Sequence, residues 1–160
     1  MNVRAVLFAV LAVLAACSPM TADAGQKTAA APARHPESGL EVVPLTITSA
    51  NGRHAFRVEV ARSGEEQAKG LMFRTAMGAN AGMIFPMVPA RQASFWMKNT
   101  VIALDLVFIG PDKRIESIAA NAVPYSFSPI SSKGNVSAVL ELNGGRAAQL
   151  GLAPGDRVGF

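Results

Sequence analysis

The chain has 160 residues, half of them hydrophobic and 16% charged, with a net charge of +4. That length predicts one domain with an ordinary core. The basic excess is small and its Lys and Arg residues are scattered singly, without a basic run or an aromatic–basic stripe, which argues against nucleic acid as a partner.

The apolar content is concentrated first at the N-terminus. Met1–Arg4 carries one basic side chain and is followed by an unbroken run of Ala, Val, Leu and Phe from Ala5 to Ala16. Such a run is too short to cross ~30 Å of hydrocarbon as a permanent helix. It has the length of the apolar region of a secretory signal peptide. Leu14–Ala15–Ala16–Cys17 reads as a lipobox, with small residues before the cut and a thiol to accept diacylglycerol. Cys17 is the sole cysteine, so the mature monomer has no disulfide framework and no cysteine-based metal site. Residues 1–16 are thus expected to be a cleaved signal peptide, with Cys17 as the lipidation site and the membrane reached through its acyl chains. Ser18, and not aspartate, follows the cysteine. In a host with two membranes this favours the outer membrane, with the domain facing the periplasm. From Ser18 to Gly39 the chain is rich in Ala, Pro, Ser, Thr and Gly. Residues 17–39 are therefore expected to be a lipidated, flexible tether.

From Leu40 the pattern is one of short strands. Leu45 and Ile47 alternate with Thr46 and Thr48, Asn51–Gly52 signals a hairpin, and Phe56, Val58 and Val60 return on one face opposite Arg57 and Glu59. Ser63 and Glu66 form a capping box that opens a short helix ending at Gly70. Gly82–Phe85 reads as a strand stopped by Pro86, followed by Ala93–Met97. Leu104–Ile109 and Arg114–Ala119 flank the turn Gly110–Lys113, and the Pro- and Ser-bearing stretch Asn121–Lys133 reads as an exposed loop. Ala138–Leu142 is a strand, Gly144–Leu150 a turn or helical segment, and Arg157–Val158 a last strand. Residues 40–160 are expected to form one mainly β domain, a compact sandwich or barrel with one or two short helical segments.

Several stretches carry a resemblance: Gly70–Arg74, Gly82–Phe85, Phe95–Thr100 with its FWMKNT, Leu104–Asp105, Val139–Leu142 and Gly155–Asp156. In that order and spacing the chain resembles the bacterial and archaeal family called domain of unknown function 192. The resemblance spans roughly Glu59 to Val158. It implies a jelly-roll-like β-sandwich and no assigned activity. Ala103 stands where the family usually has proline and Gly144 where it usually has alanine.

The polar residues of these stretches are the candidates for a ligand site: Arg74, Trp96, Lys98, Asn99, Thr100, Asp105 and Glu141, with Asp156 beside them. Arg74 offers a planar fork to a ligand carboxylate or to Asp105 or Glu141, in which case the three form a structural clasp. Asn99 and Thr100 suit a strand-to-turn junction where side chains cap the backbone. Trp96 serves as a core anchor or as the floor of a pocket. Asp105 and Glu141 are also the weak candidates for a catalytic acid pair of a small hydrolase. A Ser–His–Asp arrangement would need His54, and no nucleophile-elbow pattern accompanies it. Met72, Met83 and Met97 belong to a methionine-rich stretch that a Cu(I) carrier could use and that core filling equally explains. No cofactor is implied. The leading expectation is a non-catalytic envelope lipoprotein domain that binds a small polar ligand, a glycan or a partner protein. The alternatives are the hydrolase, the copper carrier and a purely structural lipoprotein.

Overall fold

The computed structural model describes Met1 and residues 33–160. Apart from Met1, the expected signal peptide, the expected lipidation site at Cys17 and most of the expected tether lie outside the described residues.

Alternation at period two sets the first elements. β1 (Val42–Ser49) and β2 (Gly52–Val60) form the hairpin predicted at Asn51–Gly52, with Leu45 opposite Phe56 and Ile47 opposite His54. Leu45, Ile47, Phe56 and Val58 all turn to the interior. Ser63 and Glu66 close a reciprocal capping box on α1 (Gly64–Lys69), and Gly70, at φ +48, ends it. The chain then crosses over to β3 (Ala81–Phe95), which runs parallel to β2 from Arg57–Ala81 to Val60–Ile84. β4 (Leu104–Ile109) and β5 (Ile115–Ala122) form a second hairpin. β6 (Ile130–Asn143) lies between β3 and β4, antiparallel to both. A five-residue α2 (Arg146–Leu150) and the short β7 (Arg157–Gly159) complete the chain.

The domain is mainly β with two short helices, as expected. All seven strands belong to one sheet in the order β5-β4-β6-β3-β2-β1-β7. The sheet is curled, and its two edges meet where Arg114 bridges to Arg157. There the Ile115 N–H donates to the Asp156 carbonyl at 2.9 Å and the Val158 N–H to that of Lys113 at 2.8 Å.

Both faces of the central strands are covered. Val58, Ile84, Val107, Leu140 and Val158 belong to one apolar cluster on the inside of the curl. Leu71, Met83, Phe85, Met97, Leu106, Phe108 and Val139 belong to a second on the opposite face. Every residue of β4 is therefore buried, as a strand packed on both faces requires.

Two boundaries differ from the sequence reading. Pro86 does not stop β3, because the strand bulges between Pro86 and Arg91 and resumes its pairing with β6 as far as Phe95–Ile130. Ile130–Lys133 correspondingly belongs to β6, which leaves the loop at residues 123–129. At the N-terminal end, residues 33–39 form a turn on the domain, with Arg34 bridged to Glu41 and the Val42 N–H donating to the Ala33 carbonyl at 2.7 Å.

Candidate functional site

The site begins with alternation along β6. Ala138, Leu140 and Leu142 face the inner cluster, so Val139 and Glu141 face the second one. Glu141 sits between Met83 of β3 and Leu106 of β4, its cross-strand neighbours. It is 5% exposed, and no hydrogen bond or ion pair reaches its carboxyl among the described residues. Burial without a compensating donor or cation pushes its pKa up to about 8. The carboxyl is thus mostly protonated at neutral pH.

Above it lies a cavity of about 280 Å³. Leu71, Met72, Phe85, Met87 and Phe95 line it, with Lys69, Arg91, Ser94, Trp96 and Thr100 among its polar and rim residues. Local structure builds the walls. Gln67 Nε2 donates to the carbonyls of Ala61 and Pro86 at 3.2 and 2.9 Å, tying α1 across to β3. A Cβ on Gly70 would stand 3.4 Å from the Phe85 ring, so the glycine seats the turn against that wall. Gly82 has a similar role one layer below, since a Cβ there would lie 2.5 Å from the Glu141 carbonyl and prevent β3 from closing on β6.

The FWMKNT stretch forms one side of this cavity. Trp96 is 50% exposed at the mouth, edge-on to Phe127 at 6.1 Å, with Lys98 Nζ 5.3 Å from its ring. Thr100 is buried against the cavity and its hydroxyl donates to the Lys98 carbonyl at 3.3 Å. Asn99 takes a left-handed conformation (φ 55), its carbonyl accepts the Phe73 N–H at 2.8 Å, and its amide points at Met72 Sδ at 3.8 Å. Trp96, Thr100 and Glu141 are therefore brought together, with Lys98 and Asn99 serving the local turn.

Arg74 is not part of this group. Its guanidinium forms a fork with Glu59 at 2.9 and 3.2 Å, Nε reaches Glu37 at 2.8 Å, and His35 Nε2 lies 3.4 Å from Nη1. The clasp expected from the sequence exists, but its acid is Glu59, not Asp105 or Glu141. Glu59 also accepts from the Ser38 hydroxyl at 2.5 Å. The cluster fastens residues 35–38 to the domain, which is why this part of the predicted tether is ordered.

Asp105 is likewise occupied. Adjacent to Leu106 on β4, it points to the opposite face from Glu141. Its Oδ1 accepts from the backbone N–H groups of Asn121 and Gly145 at 2.8 and 2.9 Å, and Oδ2 from that of Ala147 at 2.8 Å. It holds the start of α2 to β5. The two acids share no cleft, so the paired-carboxylate reading is corrected by their opposite placement. Asp156, the third acid of the motifs, accepts the Ala153 N–H at 2.8 Å and shapes the turn before β7.

Met83 and Met97 are fully buried in the second apolar cluster, and Met72 is partly buried on the cavity wall. They fill space among Leu71, Phe85 and Leu106. Among the described residues no group of three or more His, Cys, Asp or Glu is placed to hold a metal ion.

The structure resembles two crystallised proteins. One, of unknown function, from Novosphingobium aromaticivorans DSM 12444, superposes with a TM-score of 0.80 at 58% identity, over 82% of this chain and 94% of its own. The other, a candidate transcription regulator from Sinorhizobium meliloti 1021, superposes with a TM-score of 0.73 at 39% identity, over 75% of this chain and 94% of its own. Residues Ala31–Phe160 form one compact unit. No curated protein matches the chain. The family pattern described as Uncharacterized ACR, DUF192, matches residues 46–160, and on that match the chain belongs to the domain of unknown function 192 family.

Proposed function

We propose that the chain is an exported lipoprotein, held at a membrane through lipid on Cys17, whose domain is a non-catalytic module binding a small polar ligand in the cavity above Glu141. One observation carries the binding reading. A carboxyl that lacks a protein partner lies at the floor of a cavity that a small molecule can enter. Its oxygens are not sealed in the interior but open onto the cavity, so whatever enters meets a carboxyl that the protein leaves unpaired. An isolated acid has no second carboxyl to divide acid and base roles with, which favours binding over hydrolysis. The hydrophobic run before the lipobox and the small residues preceding Cys17 support export and lipidation. Facing the periplasm from the outer membrane, the cavity would meet small envelope metabolites or glycan fragments. The regulator label of the Sinorhizobium relative finds little support, since the described helices, of six and five residues, offer no recognition helix for a DNA groove.

The test is a thermal-shift screen of the domain Ala31–Phe160 against small polar ligands and oligosaccharides. Ligand at a hundred times its Kd stabilises by about 2.7 kcal/mol. In a domain of this size that raises Tm by several degrees. The shift should vanish in Ser94→Trp, which fills the cavity mouth from an exposed position of β3. A ligand that stabilises this variant as well as the parent binds elsewhere, and the cavity is then not the site.

A further inference from the structure

The charge around the cavity is one-sided. Glu141 is the only acid in its lining, and burial holds it neutral at pH 7. Two cations stand at the rim, Lys69 in the last turn of α1 and Arg91 on β3. Both are exposed, and neither makes a hydrogen bond or ion pair among the described residues. The other arginines near this face are taken: Arg62 pairs with Glu41 at 2.7 Å and Arg74 with Glu59 and Glu37. Glu65 and Glu66 of α1 line the neighbouring depression, whose wall Lys69 shares, and are absent from this one. A lysine and an arginine lining one cavity with no ionised acid in it suit a carboxylate, which a guanidinium grips with two parallel N–H groups.

Between rim and floor the walls are flat and apolar. Phe85 and Phe95 meet edge to face at 5.1 Å, and Trp96 stands half exposed beside them. Such rings favour a planar body over a branched or strongly hydrated one. At the floor a neutral carboxyl carries an O–H donor with no acceptor from the protein. Its cross-strand neighbours, Met83 and Leu106, cannot supply one. A ligand oxygen placed there recovers a hydrogen bond that the fold leaves unmade.

We infer that the cavity takes a small organic acid with a planar apolar body, its carboxylate held by Lys69 and Arg91 and an oxygen at its far end accepting a hydrogen bond from the Glu141 carboxyl. This rests on the cavity being the ligand site proposed above and names the class of ligand. It also fixes a pH dependence. The charged groups facing the cavity are Lys69 from α1 and Arg91 from β3; β4 presents Leu106, and the Trp96–Thr100 segment presents an indole and a hydroxyl. Because Glu141 must keep its proton to donate and the ligand must stay ionised, affinity is level from about pH 5 to about 8, falling above that as Glu141 ionises and below it as the ligand carboxylate protonates.

Four probes separate the possibilities by calorimetry on the domain Ala31–Phe160: 4-acetylbenzoate, its methyl ester, benzoate and benzylamine. The acid with its distal ketone should bind about tenfold or more tighter than benzoate or the ester, the worth of one charged or well-placed hydrogen bond. Benzylamine should not bind. Lys69→Gln combined with Arg91→Gln should weaken the acid to the level of the ester. Between pH 8 and 9.5 the parent's affinity for 4-acetylbenzoate should fall about fifteenfold in all, whereas Glu141→Gln should bind it with no such fall. Ester binding equal to that of the acid overturns the anion assignment and leaves the cavity as a ligand site. Benzylamine binding that strengthens with pH assigns the site to a cation instead. If none of the four binds, both this inference and the proposed site fall.

Discussion

Replacing Glu141 by glutamine keeps the shape of the side chain and removes its ability to ionise. In the native state burial lifts the carboxyl from 4.5 to about 8. Each unit corresponds to about 1.4 kcal/mol, so the whole displacement is worth about 5 kcal/mol. The folded state holds the proton more tightly than the unfolded one. The associated stability is therefore complete below about pH 4.5 and lost as pH rises through about 8. Chemical denaturation of parent and variant at pH 5, 7 and 9 gives two stability curves whose difference isolates this group. The titration of Glu66, held low chiefly by the Ser63 backbone N–H, cancels in that difference. Relative to the variant, the parent should lose about 4 kcal/mol between pH 5 and 9, at up to roughly 1.4 kcal/mol per unit between pH 5 and 8 and little beyond. At pH 9 the glutamine variant should be the more stable protein. That is a large share of a total of about 5–15 kcal/mol for a domain. A difference constant to within about 1 kcal/mol over the range would mean that water reaches and ionises the carboxyl. The carboxyl at the cavity floor would then be ionised at neutral pH and could not act as a neutral donor.

Arg74→Ala should destabilise the domain by about 3–5 kcal/mol, because it leaves the buried Glu59 carboxylate without its fork; thermal unfolding reads this directly. Amide exchange at residues 34–42 should rise in the same variant, since Glu37 and Ser38 lose the cluster that fastens them, and Glu59→Gln in the Arg74→Ala background should recover part of the loss. Asp105→Asn should cost about 2 kcal/mol or more through its three backbone donors, with faster exchange at Gly145 and Ala147 and no change in cavity binding. Cys17→Ser should move the protein from the membrane to the soluble fraction and leave it without acyl mass by mass spectrometry; a variant that stays at the membrane would remove the lipid anchor from the reading.

Much of the fold was legible because its signals are local. The Asn51–Gly52 turn, the Ser63–Glu66 box, the stop at Gly70 and the Gly110–Lys113 hairpin depend on residues within a few positions of one another. The errors occurred where a local signal met a distant partner. Pro86 lacks an N–H and reads as a strand end, yet β6 opposite it continues and the pairing absorbs the defect as a bulge. The turn at residues 35–39 has the composition of a linker, and it is held to the domain by the buried fork of Arg74 with Glu59 and by the backbone bonds around Arg34 and Glu41. Nor does any local pattern give the strand order, in which β2 runs beside β3 and β6 inserts between β3 and β4.

The acids show most clearly where the reading of the site ran out. Asp105 and Glu141 carry the same local signal, a carboxylate within an apolar strand, and Glu59 between Val58 and Val60 carries it too. All three are buried, so the shared signal correctly reports burial. What differs is the donor each one meets. Asp105 lies where the backbone of Gly145–Ala147 turns its N–H groups inward, and Glu59 lies beneath Arg74. Glu141 faces a methionine and a leucine from strands that lie some 58 and 35 positions away in the chain. Alternation decides the face a side chain takes, but register decides what waits there, and register is set by the whole sheet. An acid that folding has buried against donors is explained by the fold. One that folding has buried without them, facing a cavity, costs stability that the fold alone does not explain, and the ligand site proposed above rests on that difference.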